Sequence, residues 1–130
     1  VMFLVDTSAW IEFFRKGSRI RLQSICAPEQ VTIVLPVYQE VLQGLKDEGA
    51  FHIARDALMH ARFVENPLGQ EVFEEAIGLY RLTRAKGITV RSSVDCLIAA
   101  CAIRHGLVVL HRDRDYTGIA KVSALRERRI

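Results

Sequence analysis

The sequence has no apolar run near the roughly 20 residues that a helix needs to cross a bilayer. Its opening apolar stretch, residues 1–5, ends at Asp6, before the core of a signal peptide could form. Half of the 130 residues are hydrophobic and a quarter are charged, a balance typical of globular domains. We therefore expect a soluble cytoplasmic protein with no membrane segment, folded as one domain over residues 1–130.

Cysteine and lysine are scarce. The three cysteines form no Cys-x-x-Cys pair, which argues against a disulfide framework and against a thiolate zinc site. Only four of the eighteen basic residues are lysines, and the other fourteen are arginines, which suit forked contacts with phosphate or carboxylate. A codon-usage bias toward arginine remains the alternative. The net charge of +3 permits binding to a polyanion without requiring it.

Short apolar runs alternate with helical patterns along the chain. We predict strands at residues 2–5, 31–35 and 107–110. We predict helices at residues 9–16, from Pro36 onward, and at 50–62, 70–86 and 94–105, the last ended by Gly106. Short, fully apolar strands separated by helices are typical of an α/β fold with a central, mainly parallel sheet and helices on both faces.

Two aspartates follow predicted strands and so share one rim of that sheet. Asp6 comes directly after the first strand, and Asp113 lies three residues past the strand at 107–110. In α/β sheets ligands bind at the carboxyl ends of the strands, so these positions are the first candidates for a site. Asp6 could instead cap the next helix, although Thr7 and Ser8 stand closer to that helix.

Glu40 and Asp95 belong to the same rim by their place near helix starts. Glu40 lies one turn into the helix opened by Pro36 and outside its apolar arc, so taken alone it could be a solvated glutamate. Asp95 lies at the start of a segment that is apolar on nearly every side of the predicted helix. A carboxylate without a partner is rare in such a buried helix. The spacing from Ser92 to Asp95 also fits a capping box.

Asp115 lies two residues after Asp113, and the segment lacks the remaining ligands of an EF-hand loop. A solvated turn would also fit this segment. Four acids from separate segments that converge on one pocket cannot all stay ionised without compensation. Carboxylate and water oxygens are the ligands that Mg²⁺ or Mn²⁺ prefers, so the sequence predicts a divalent cation here.

Four segments in this order resemble PIN-domain ribonucleases of the VapC toxin type. They are FLVDTSAWIEFF, LPVYQEVLQGL, VDCLIAACAIRHGLVVL and HRDRDYTGIA, and they span most of the chain. The resemblance implies that Asp6, Glu40, Asp95 and Asp113 are the metal-binding and catalytic acids. It also implies Thr7 or Ser8 beside them and Asp115 as an accessory ligand.

The same resemblance implies a metal-dependent endoribonuclease in which Asp6, Asp95 and Asp113 hold Mg²⁺ or Mn²⁺ and Glu40 is a second-site ligand or orients water. Asp113 and Asp115 are alternative candidates for the fourth acidic position of the site, after Asp6, Glu40 and Asp95. We rank Asp113 as the ligand and expect Asp115 mainly to cap a following helical turn. Arginines near the rim are candidates for contacts with RNA phosphates. These are Arg15, Arg19 and Arg21 with Lys16, and Arg91, Arg112 and Arg114.

Partners are implied as well: a VapB-like antitoxin, a homodimer and a hetero-oligomer of toxin and antitoxin. Trp10, Phe13 and Phe14 on the first helix offer a groove for an amphipathic segment of the antitoxin. The main alternative is a catalytically inactive PIN-like module whose arginine-rich surface binds nucleic acid or protein. A metal-dependent phosphatase is disfavoured, because Thr-Ser-Ala follows Asp6 in place of a DxD-type loop.

Overall fold

A computed structural model describes residues 1–130 as a five-stranded sheet with six α-helices. The strands are β1 (Phe3–Val5), β2 (Val31–Ile33), β3 (Arg62–Phe63), β4 (Val108–His111) and β5 (Arg126–Arg129). The helices are α1 (Thr7–Phe14), α2 (Leu35–Gln43), α3 (Glu48–Met59), α4 (Gln70–Ala85), α5 (Ser93–His105) and α6 (Arg114–Ala120). None of them is both long enough and apolar enough to cross a membrane.

The strand order is β3-β2-β1-β4-β5, and every neighbouring pair is parallel, which confirms the predicted fold class. The chain moves from β1 outward to β3, then returns to β4 and β5. Because crossovers between parallel strands are right-handed, α1–α3 cover one face and α4–α6 the other. The strand order reverses between β1 and β4, the place where α/β sheets bind ligands at the carboxyl ends.

Helix α5 is the most deeply buried helix, and its position explains why an acid reaches the interior. All of residues 95–102 are buried, and α5 packs mainly against α4. The helix ends where predicted, at Gly106, whose φ of 63° is the left-handed conformation that glycine adopts readily. Asp95 in the first turn of α5 is therefore carried into the core.

Several predicted boundaries are wrong. Leu35, expected in the second strand, begins α2, because Pro36 suits the first turn of a helix. The strand predicted at 107–110 is shifted by one residue and runs from Val108 to His111. The helix predicted to residue 62 ends at Met59, since Arg62 and Phe63 pair with β2. Neither β3 nor β5 was expected: β3 has two residues, and β5 is a polar strand at the sheet edge.

Candidate metal centre

Carboxylates gather at the reversal point, beyond the carboxyl ends of β1 and β4. Ligand oxygens of Asp95, Asp113 and Asp115 all lie within 4.8 Å of one another. Asp6, directly after β1, joins this group through a shared hydrogen-bond donor, the hydroxyl of Tyr116. The predicted convergence of Asp6, Asp95 and Asp113 on one rim is therefore present in the structure.

Asp6 is buried and has donors on both carboxylate oxygens. Its Oδ2 accepts hydrogen bonds from the backbone N–H of Ser8, at 3.0 Å, and from the Ser8 hydroxyl. Its Oδ1 accepts from the Tyr116 hydroxyl at 2.6 Å. Asp6 is thus itself the N-cap of α1, and the expectation that Thr7 or Ser8 would cap this helix is wrong. The cap uses Oδ2, which leaves Oδ1 on the side of the other acids.

Asp95 is the least satisfied acid of the group. Ser92 caps α5 by accepting from the Val94 N–H at 3.2 Å, and the Asp95 carboxylate does not close a capping box. Its Oδ1 lies 3.3 Å from the Tyr116 hydroxyl, while its buried Oδ2 has no hydrogen-bond partner. Burial and then the neighbouring negative charges, Asp6 first, together raise the pKa of Asp95 from 3.8 to about 8.

Asp113, and not Asp115, caps α6. Asp113 is the N-cap, and its Oδ1 accepts from the Asp115 N–H at 2.9 Å, so the prediction that Asp115 caps the turn is wrong. The reason is the extra strand residue: β4 includes His111, and α6 then begins at Arg114. Asp115 lies inside the first turn with its side chain 2% exposed, against 26% for Asp113.

Arg91 compensates part of this negative charge. Its backbone N–H donates to Asp115 Oδ2 at 3.0 Å, and its guanidinium contacts Asp115 Oδ1 at 3.3 Å and Asp113 Oδ1 at 2.8 Å. Both carboxylates raise the pKa of Arg91. Arg91 therefore pairs with the acids. Arg112 similarly lies 3.3 Å from Glu12, whereas the exposed Arg114 has no ion pair.

Glu40 lies apart from the three-aspartate group. It is half-buried on α2, and its Oε1 accepts a hydrogen bond from the Thr7 hydroxyl at 2.9 Å. Thr7 directly follows Asp6, so this bond places Glu40 beside the site without making it part of the closest cluster. The bond also accounts for the polar position of Glu40 outside the apolar arc of α2.

Two neighbours of the site, Tyr116 and Glu12, were not predicted from the sequence. Tyr116 is fully buried between Asp6 and Asp95, and burial followed by the charges of these acids raises its pKa well above 10.0. The available signal was the Tyr116–Ile119 spacing, which predicts a packed helical turn. A tyrosine buried in such a turn usually needs a hydrogen-bond partner for its hydroxyl, and the nearby acids could provide one. Glu12 contacts Arg112, and His111 accepts the Asp113 N–H on Nδ1 at 3.0 Å.

The donor set fits a hard divalent cation. Carboxylate oxygens alone form the cluster, with no sulfur or imidazole ligand among them, which favours Mg²⁺ or Mn²⁺ over Zn²⁺. Arg91 is the one basic side chain paired with the acids of this cluster, so the carboxylates outnumber the positive charges there. The buried Asp95 Oδ2, which has no donor, is the atom that a cation would satisfy.

Comparisons with known proteins agree with this geometry. A family model described as PIN domain matches residues 3–122. The VapC ribonuclease Mb1587 of Mycobacterium bovis is 39% identical over 129 residues, which cover 95% of this chain and 96% of that protein. Ribonuclease VapC11 of Mycobacterium tuberculosis has the same identity and coverage.

Solved structures share the fold over nearly the whole chain. A chain of the DNA-bound VapBC complex from Salmonella typhimurium matches with a TM-score of 0.79 at 17% identity, over 99% of this chain and 98% of that one. A toxin-antitoxin complex from Klebsiella pneumoniae matches with a TM-score of 0.71 at 25% identity, over 92% and 94%. The six helices and the parallel sheet are thus those of a known architecture.

Proposed function

This chain belongs to the PIN domain family, and we propose that it is a VapC-type endoribonuclease toxin that hydrolyses RNA phosphodiester bonds with Mg²⁺ or Mn²⁺. We also propose that residues 1–130 form one PIN domain. The observation that carries the proposal is the buried Asp95 Oδ2, which lacks a donor inside a group of carboxylates. Such a group costs stability unless a cation offsets it, so its presence favours a metal centre over the catalytically inactive module.

In this proposal Asp6, Asp95 and Asp113 hold the cation, and Asp115 is accessory. When bound, the cation would supply an activated water and would offset negative charge on the attacking and leaving oxygens. Asp113 is the more exposed of the last two acids, and its Oδ2 accepts no hydrogen bond, whereas Asp115 uses both oxygens for Arg91. Its free oxygen supports the ranking of Asp113 ahead of Asp115.

Glu40 acts beside the centre in this proposal, as a second-site ligand or as a residue that orients the attacking water. Thr7 fixes the Glu40 carboxylate through its hydroxyl, at 2.9 Å. Because water rather than the RNA 2′-hydroxyl is the nucleophile, preference for RNA must come from contacts outside the centre. Arg114 stands between Asp113 and Asp115 in the sequence, is exposed and has no ion pair, so it is free to bind a phosphate.

The groove predicted on α1 supports a VapB-like antitoxin as partner. A cavity of about 370 Å³ is lined by Trp10, Phe13 and Phe14 together with residues of the segment that leads into β2 and of the end of α3. The Trp10 Nε1–H is buried there with no acceptor, so a partner backbone carbonyl could satisfy it. We propose that the antitoxin occupies this groove, that the toxin is a homodimer in a larger complex, and that it acts on RNA in the cytoplasm.

The first experiment is an RNA cleavage assay on the purified protein with and without EDTA. Cleavage should stop in excess chelator and return when Mg²⁺ or Mn²⁺ is restored. Full cleavage in excess EDTA would overturn the metal-dependent mechanism. The Asp6→Ala variant, purified in the same way, separates this protein's activity from that of a contaminating nuclease.

The second experiment tests the toxin role in cells. Expression without the antitoxin should arrest growth of a bacterial host, and Asp6→Ala should relieve the arrest. Co-expression of a cognate antitoxin should relieve it as well. Harmless expression of folded, cleavage-active protein would contradict the proposal.

A further inference from the structure

We propose that Tyr116 is a positioning residue of the metal centre, whose hydroxyl holds Asp6 and Asp95 in the arrangement that binds a divalent cation. This inference rests on the proposed function, because it concerns the same acids. It adds a residue outside the acidic set, on a helix that contributes Asp115 to the cluster.

Two side chains bridge acids at this site, and they bridge different pairs. Arg91 joins Asp113 to Asp115, whereas Tyr116 joins Asp6 to Asp95, at 2.6 Å and 3.3 Å. The first pair receives a positive charge and the second pair only a neutral hydroxyl. The Tyr116 hydroxyl is the one side-chain donor that contacts both Asp6 and Asp95.

The hydroxyl also determines which oxygens remain free. It lies against Oδ1 of Asp6 and Oδ1 of Asp95, and Ser8 holds the other oxygen of Asp6. What remains without a donor is Asp95 Oδ2. Without the hydroxyl, both carboxylates could rotate apart, and the oxygens would lose their common orientation.

The ring of Tyr116 is itself fixed. It is fully buried, and its centroid lies 5.0 Å from that of His111, which in turn contacts Glu127 of β5 at 3.1 Å. A rigid ring delivers the hydroxyl to one place. Groups that hold metal ligands by hydrogen bonds typically change metal affinity by about 10–100-fold when removed.

Calorimetric titration of Mn²⁺ into chelator-stripped protein tests the inference. Tyr116→Phe keeps the ring and removes the hydroxyl, and it should weaken Mn²⁺ binding by about 10–100-fold. Tyr38→Phe is the matched control, because Tyr38 packs edge-on against Phe63 and its hydroxyl has no hydrogen-bond partner among the acids. Equal Mn²⁺ affinity in wild type and Tyr116→Phe would overturn the inference and leave the proposed function standing. A wild-type protein that binds no Mn²⁺ would overturn both.

A second measurement separates charge bridging from simple packing. In chelator at pH 9, where Asp95 is charged, Tyr116→Phe should lower Tm more in the wild-type background than in Asp95→Asn, where one of the two repelling charges is gone. If Tyr116→Phe alone fails to fold but the double variant folds, that rescue supports the bridging role. An equal loss in both backgrounds, or two unfolded variants, would assign Tyr116 to packing and overturn the inference.

Discussion

Helix α5 carries clustered charges at both ends, and the two ends differ in how those charges are compensated. At the C-terminal end Arg104 contacts three carboxylates, those of Glu65 and Glu75 at 2.8 Å and that of Glu71 at 3.5 Å. His105 lies 2.9 Å from Glu65 as well. Hydrogen bonds from Arg104 lower the pKa of Glu65, so the charges there favour the folded protein.

At the N-terminal end Asp95 faces other acids. Its pKa is raised to about 8, first by burial and then by Asp6, Asp113 and Asp115. Both ends obey the helix dipole, with an acid in the first turn and bases in the last. The dipole therefore does not explain the contrast. Arg104 contacts all three carboxylates at the C-terminal end, whereas Arg91 at the N-terminal end contacts Asp113 and Asp115 but neither Asp95 nor Asp6, which leaves these two acids uncompensated. The uncompensated end is the one at the sheet's reversal point, where a ligand can supply the missing charge.

The largest expected effect is on catalysis at the uncompensated end. Asp95→Asn should lower RNA cleavage by more than about 100-fold, since losing a ligand should exceed the loss of a group that only positions one. Glu75→Gln makes the same change, carboxylate to amide, at the compensated end and should cleave normally. Single-turnover cleavage under saturating Mg²⁺ compares them, and an equal loss in both would erase the distinction between the ends.

The next effect concerns the two acids that follow β4. Asp113→Asn keeps the helix cap, because asparagine caps about as well as aspartate, yet removes a charge. It should weaken Mn²⁺ binding by about 10-fold or more, whereas Asp115→Asn should mainly disturb Arg91 and lower stability. Mn²⁺ titration and thermal unfolding of both variants decide the ranking. An equal or greater affinity loss in Asp115→Asn would show that the buried acid is the ligand.

The cap assignment of Asp113 and Asp115 shows which features of the site the sequence could predict and which it could not. The residue types and the rim were predictable, because strand ends and apolar periodicity are local signals. Which aspartate caps α6 depends on whether β4 ends at Leu110 or His111, and that depends on pairing with β5. Strand β5, Arg126–Arg129, has no apolar alternation, so nothing in its own sequence predicts it.

The hydrogen bonds inside the site could not be predicted from the sequence either. That Asp95 is buried followed from the apolar segment it opens. That its Oδ1 meets Tyr116, 21 residues away, while its Oδ2 has no donor, depends on how separate helices pack. The link between Glu40 and Thr7 joins two helices whose relative packing no local pattern determines. Residues on one rim were predictable; their partners required the packing of separate helices.

A smaller effect is expected on stability in chelator. Asp95 binds its proton more tightly in the folded protein than in the unfolded chain, so between about pH 4 and pH 8 a rise in pH lowers the stability of the wild type. Asp95→Asn has no carboxylate to deprotonate at this position, so it should be more stable than the wild type by about 1–2 kcal/mol at pH 9, with little gain below pH 4. Denaturant unfolding in EDTA at both pH values measures this, and a variant less stable at pH 9 would contradict it.

The smallest effect belongs to the compensated end, and its pH dependence has the opposite sign. Arg104 is partly exposed, so Arg104→Gln should lower Tm by no more than a few degrees at neutral pH, and less at high salt, where exposed ion pairs are screened. The lowered pKa of Glu65 means that its contribution is present above the pKa of the unfolded chain and is lost as the pH falls through its folded value. The stability difference between wild type and Arg104→Gln should therefore narrow on acidification, while the stability difference caused by Asp95→Asn widens as the pH rises.

Mn²⁺ affinity should stay unchanged in Arg104→Gln, which calorimetry checks. A Tm difference that is independent of pH and salt would mean that Arg104 acts through packing of its aliphatic stem, and the contrast between the two ends of α5 would then no longer be one of charge.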